Sequence, residues 1–157
     1  MRRSRRIFVL SAAILMCCGA FPATAVPDRD TDSAKEVLKR RFSERISLSY
    51  NCIVTANGTD VNLSGTLLLQ GNCYYAKGNG LEIFSDAHTR WTVDRETMDV
   101  YIESSTGTEE VFMYEDTIKE LTLSDIRYLP ASTDLSPFTF STENLGSEWV
   151  VTDLREE

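Results

Sequence analysis

The chain has 157 residues, with 16 Lys and Arg against 24 Asp and Glu, a formal net charge of −8 and an isoelectric point near 4.7. So acidic a chain is a poor ligand for nucleic acid, where phosphate neutralisation supplies most of the affinity, and it disfavours broad adsorption to anionic lipid. Acidity otherwise serves solubility and names no partner.

The N-terminus reads as an export signal. Four arginines fall within Met1–Arg6, an apolar run follows from Ile7 to Phe21, and Ala23-Thr24-Ala25 places small residues before an expected cut after Ala25. The rival, a membrane anchor, needs about 20 apolar residues to span a bilayer, and this run is shorter. Cys17 follows Met16 and Cys18 follows Cys17, whereas a bacterial lipidation signal places a small residue before its cysteine; both should leave with the signal. Cleavage removes four arginines and no acidic residue. Residues 26–157 then form one exported domain with 12 cationic and 24 acidic side chains, a net charge of −12.

After a frayed start, Ala34, Val37, Leu38 and Phe42 share one face of a helix expected over 31–44, with Asp30, Thr31 and Asp32 as N-cap candidates. Period-two alternation and β-branched or aromatic enrichment then predict strands over 46–55, 61–70, 73–77, 81–85, 90–95 and 98–103. Turn residues separate them, among them Asn57-Gly58, Gly71-Asn72 and Gly78-Asn79-Gly80. Connections this short make an antiparallel meander. Val111, Tyr114, Ile118 and Leu121 favour a short helix near 108–117, although Val-Phe-Met-Tyr also suits a strand. Leu121–Leu129, Pro137–Ser141 and Glu148–Leu154 predict three closing strands. The expected class is α+β: a curled antiparallel sheet of about nine strands, with the N-terminal helix across its concave side.

Two cysteines remain in the mature chain. A hairpin centred near Gly58 sets Cys52 opposite the region of Gly65, some eight residues from Cys73, beyond disulfide reach at about 3.3 Å per residue. Two buried free thiols are expected. Residues that could carry catalysis are sparse. His88 is the single histidine and lies in an expected turn; no nucleophile elbow, phosphate-binding loop or zinc-binding helix motif occurs. The pairs Glu109-Glu110 and Glu115-Asp116 read as solvated surface. The chain is expected to be no enzyme, with no catalytic residue, no metal site and no cofactor. The informative feature is the apolar load of the sheet, which on the residues alone reads first as an ordinary filled core.

One resemblance bears on that choice. Ser64-Gly65-Thr66-Leu67-Leu68-Leu69-Gln70-Gly71-Asn72, then Ile83-Phe84-Ser85-Asp86-Ala87-His88-Thr89-Arg90-Trp91-Thr92-Val93-Asp94, then Val100-Tyr101-Ile102, resemble the strands of the outer-membrane lipoprotein carriers, the periplasmic LolA family. The likeness spans Val61–Ile102. It departs at Gln70-Gly71, where the family commonly has Arg-Pro, and at Ala87, where it has a turn glycine. The resemblance implies an unclosed barrel with helices over an apolar cavity that takes up acyl chains in the periplasm. It implies a monomer whose partners are acylated lipoprotein or lipid and the lipoprotein-transport proteins of the two membranes. The expected lining is Leu38 and Phe42 of the helix with Leu67, Leu69, Ile83, Trp91 and Val93 of the sheet. The alternative is an envelope interaction module with a filled β core.

Overall fold

The structure, a computed structural model, describes residues 36–37, 39–56, 58–105 and 118–155. The expected signal peptide, the first turn of the expected helix, Leu38 and the segment 108–117 lie outside the described residues.

Eight strands form one curled, unclosed sheet: β1 (Glu44–Ala56), β2 (Thr59–Gln70), β3 (Cys73–Gly78), β4 (Leu81–Ser85), β5 (Thr89–Asp94), β6 (Asp99–Ser104), β7 (Ile118–Pro130) and β8 (Val150–Asp153). Their order across the sheet is β7-β1-β2-β3-β4-β5-β6-β8. β1 to β6 are the expected meander, joined by short turns. Two later steps depart from it. β7 pairs antiparallel with β1, at the opposite edge from β6, and β8 pairs parallel with β6. A parallel return needs a long connection, and residues 131–149 supply it by crossing behind the sheet.

Before β1, Glu36, Val37, Lys39 and Arg40 are helical, and the Arg41 N–H donates to the Val37 carbonyl at 3.1 Å. The expected helix extended to residue 44, but Glu44 already begins β1. Arg40 caps this stretch by pairing with both carboxylate oxygens of Glu44 and lying 3.7 Å from the Tyr128 ring centre. The intervening turn is pinned where the Gly71 N–H donates to the Arg41 carbonyl at 2.6 Å.

Register decides which residues meet. Ile46 lies opposite Leu69, Leu48 opposite Leu67 and Cys52 opposite Leu63. The β1–β2 turn sits one residue earlier than expected, so Cys52 faces Leu63 and not Gly65. A shift of two in register keeps every side chain on its face. The pairing then continues from Leu69 to Tyr74 and from Leu67 to Ala76. Val37, Ile46, Leu48, Cys52, Leu67, Leu69, Ala76, Ile83 and Leu121 belong to one buried cluster on this front face. Cys73 pairs with Gln70, whose parity is opposite, so Cys52 and Cys73 point to different faces; neither is in a disulfide and both are buried.

The front face is drawn tight at one place. Gly65 lies opposite Gly78, and Tyr50 lies opposite Gly65. A Cβ on Gly78 would run into the Ser64 carbonyl and come within 3.0 Å of the Tyr50 hydroxyl. The two glycines let the β2 and β3 backbones approach closely, and the tyrosine ring fills the space that side chains would take.

The back face is covered by the tail that follows β7. The Gln70 amide accepts from the Ser132 N–H at 3.1 Å and donates to the Ser132 carbonyl at 2.7 Å. Arg45 donates to the same Gln70 oxygen at 2.9 Å and to the Asp134 carbonyl at 2.6 Å. A 3-10 turn at Ser136–Phe138 follows, with Phe138 fully buried. The expected strand over 137–141 is therefore absent. Phe138 and Phe140 alternate as strand residues would, and Thr139 is extended, but the segment crosses the sheet and joins no ladder. Phe140, Leu145 and Trp149 pack on Val93, Val100 and Ile102 as a second cluster.

Candidate functional site

The front face changes character from one edge to the other. Over β7, β1, β2, β3 and β4 it is apolar: Leu121, Ile46, Leu48, Leu67, Leu69, Ala76 and Ile83 are each 5 % exposed or less. Such a face buries apolar area at about 25 cal/mol per Å², which is what drives the sheet to curl and be covered. Beyond Ile83 the same face becomes polar. Ile83 lies opposite Thr92, Ser85 opposite Arg90, and Arg90 opposite Glu103. Ser85, Arg90, Thr92 and Glu103 are nonetheless all buried.

Arg90 and Glu103 form an ion pair. Nη2 and Nε of the arginine donate to one carboxylate oxygen of Glu103 at 2.9 and 3.2 Å, with both side chains about nine-tenths buried. The Ser85 hydroxyl donates to the Ser105 hydroxyl at 3.2 Å and accepts from the Ala87 N–H at 3.3 Å. Burying such groups is costly unless they are paired, and here they are.

The expected lining residues divide between the two faces. Leu67, Leu69 and Ile83 lie on the front face in the main cluster. Trp91 lies opposite Phe84, and Val93 opposite Glu82, which puts both on the back with the tail. Successive strand residues point to opposite faces, so Trp91 and Val93 cannot share a wall with Thr92's neighbour Ile83. Phe42 is 66 % exposed in the turn before β1, 4.5 Å from the Arg41 guanidinium. Leu38 lies outside the described residues.

The back face carries a charged cluster of its own. Glu82, nearly buried, receives Lys77 Nζ at 3.2 Å on one oxygen and Arg95 at 2.7 and 3.0 Å on the other. Burial works to raise its pKa, but the two cations outweigh it and hold the carboxyl below the ordinary glutamate range. Burial, with Glu82 beside it, pushes the Tyr75 hydroxyl up, and burial also raises the Cys73 thiol. Tyr75, Phe84 and Phe140 form a run of tilted ring contacts at 4.7 and 5.4 Å along this face.

His88 is exposed in the β4–β5 turn, where its N–H donates to Asp86. Among the described residues, no three His, Cys, Asp or Glu side chains gather as metal ligands would.

Two groups escape a reading by hydrophobic pattern. The buried strip of Ser85, Arg90, Thr92 and Glu103 is polar, so periodicity alone marks it as solvent-facing. Its signal is the opposite charge of Arg90 and Glu103 at positions that face each other across the β5–β6 hairpin. The Arg45–Gln70 clamp joins residues far apart in the chain to the backbone of the tail and leaves no local trace. Compared with known proteins, the chain matches no family model and no curated protein.

Proposed function

We propose that the chain is a non-enzymatic periplasmic carrier of the LolA kind, which holds the acyl chains of a lipoprotein or lipid against the front face of its sheet. The observation that carries this reading is the continuity of that face: apolar side chains from five adjacent strands, with Val37 of the N-terminal segment packed among them. On this reading the sheet is an unclosed barrel, and helices over its concave side cover the cargo. The lining comes from Leu67, Leu69 and Ile83 with Leu48 beside them, while Trp91 and Val93 support the sheet from behind.

The energetics require a cover of this sort. Each methylene kept from water is worth about 0.8 kcal/mol, so one long acyl chain in an aqueous compartment represents on the order of 10 kcal/mol. A carrier must also release its cargo, which asks for a covering element whose closed and open states lie close in free energy. A single helical segment held to the sheet through Val37 and the Arg40 contacts is of the right scale.

Native mass spectrometry of the mature domain from a bacterial periplasm, followed by lipid extraction, tests the reading. Lipid or lipoprotein near one per chain is expected, and Leu69→Glu should abolish it in a protein that still folds. A clean apo mass, with no uptake of added acylated peptide, refutes it.

A second reading has its own observation. Ile46, Ala76 and Ile83 have no solvent exposure at all, as in a filled core. The chain would then be an envelope interaction module, and the clean apo mass is the result it requires.

A further inference from the structure

The two edges of the sheet, β7 and β8, are built differently. We infer that β8 is a docking strand for an extended, basic segment of a partner protein, which joins the sheet beside it as a further antiparallel strand. The inference stands whether or not the front face holds acyl chains.

An edge strand offers unpaired backbone N–H and C=O groups to any passing chain, and native sheets guard it with lysine, proline or a bulge. β7 carries all three. Lys119 is exposed on it and Pro130 ends it. Its register against β1 shifts between Ser47 and Ser49 and again between Ile53 and Val54, with Asp125 at φ +52°. β8 has none of these guards. It reads Val150-Val151-Thr152-Asp153, and its register with β6 runs unbroken from Asp99–Val150 to Ile102–Asp153. Val150, Val151 and Leu154 are 56, 43 and 44 % exposed, and Met98 beside them is 38 % exposed. Half of the eight exposed large apolar side chains among the described residues therefore lie at this one edge. Scattered singly such residues are ordinary; gathered at an unpaired edge they make a contact surface.

The backbone of β8 is set for such a partner. The Val150 and Leu154 N–H groups donate to the Met98 and Ile102 carbonyls at 2.9 and 2.8 Å. Alternate residues thus face β6, and the N–H and C=O groups of Val151 and Asp153 point out of the edge. An added strand would bond to these two residues, while its alternate side chains meet Val150 and Leu154 on the front and Val151 on the back. Charge selects the partner. Asp99 lies opposite Val150, Glu148 precedes the strand and Asp153 ends it. Arg95 in the adjoining turn and Arg155 after the strand are already held by Glu82 and Asp153. A second copy of the chain would bring these carboxylates against their own kind, whereas a basic segment is drawn to them. A contact on so short a strand is of the small, transient class.

The test titrates the isotope-labelled mature protein with an acetylated, amidated nonapeptide of alternating threonine and valine with lysine at both ends. Amide resonances report binding, and hydrogen exchange reports pairing. The Val151 and Asp153 amides should exchange at least about fivefold more slowly with the peptide bound, and those of β7 should not change. The same peptide with glutamate at both ends should bind about tenfold more weakly. Val151→Pro removes an outward N–H and leaves the β6–β8 bonds in place, as edge strands allow; it should weaken the lysine-ended peptide by about tenfold. Val150→Lys, at an exposed position with the backbone intact, should weaken it by about threefold. The inference is overturned if the Val151 and Asp153 amides gain no protection at the highest peptide concentration, if the two peptides bind alike, or if neither variant weakens binding. Concentration-dependent dimers in sedimentation that Val151→Pro abolishes also overturn it, since the edge would then join two copies of this chain.

Discussion

The β4–β5 turn offers a direct measure of backbone strain in this fold. Ala87 sits at φ +78°, in the left-handed region that costs an ordinary L-residue roughly 1–2 kcal/mol. It is held there by its neighbours: the Asp86 carboxylate accepts from the N–H groups of His88 and Thr89 at 2.9 and 2.7 Å, and the Ala87 N–H donates to Ser85. Ala87→Gly relieves that strain, and the greater freedom of glycine in the unfolded chain takes back about 0.4–1 kcal/mol. The net gain should be about 0.5–1 kcal/mol, which for a domain of this size raises Tm by roughly 2–4 °C. Gly71 supplies the control. Its φ is +58° and a Cβ there would meet nothing within 4 Å, so Gly71→Ala isolates the backbone cost and should destabilise by about 1 kcal/mol. Thermal and urea unfolding of the two variants beside the wild type measure both effects. If Gly71→Ala is neutral, strain is not the governing quantity. If Ala87→Gly lowers the Tm while Gly71→Ala behaves as expected, the Ala87 methyl group contributes more by packing than its backbone loses.

Three further outcomes are expected. Phe138, with no solvent exposure, anchors the tail under the sheet; Phe138→Ala should cost about 3–5 kcal/mol in urea unfolding, and limited proteolysis should then cut within 131–149 first. Gly78→Ala drives a methyl group into the Ser64 carbonyl and the Tyr50 hydroxyl, so it should cost more than about 1 kcal/mol, and Tyr50→Phe should recover only the smaller part. Glu82 has a depressed pKa in the folded state, so the stability it contributes is present above the unfolded glutamate value of 4.5 and is lost as the pH falls below it through the folded pKa. Glu82→Gln should therefore be less stable than the wild type by about 1–2 kcal/mol at pH 7, and urea unfolding should show that gap closing as the pH falls toward 3.

Local pattern was sufficient for the six-strand meander. The strands from β1 to β6 carry either period-two alternation or β-branched and aromatic enrichment, and they end in residues that favour turns; these signals are properties of neighbours in the chain. The expected separation of Cys52 from Cys73 rests on distance along the hairpin; that Cys73 also lies on the opposite face is decided by the turn that pairs it with Gln70. The later elements were less legible. Phe138 and Phe140 carry the apolar spacing of a strand, but strand identity needs a partner backbone, and the sheet offers none where the tail crosses it. The parallel pairing of β8 with β6 and the antiparallel pairing of β7 with β1 at the far edge depend on where long connections land.

The candidate site shows the same division. Composition and spacing determined that Leu67, Leu69 and Ile83 would be buried, because a side chain's hydrophobicity is intrinsic to it. They could not determine which buried residues share a wall. That depends on strand register, summed across hairpins: an even offset set Ile83 on the front with Leu69, and an odd one set Trp91 and Val93 behind it. Nor could they show that Arg90, Thr92 and Glu103 would be buried while polar, since the energy that permits it comes from partners and covering elements assembled only in the tertiary structure.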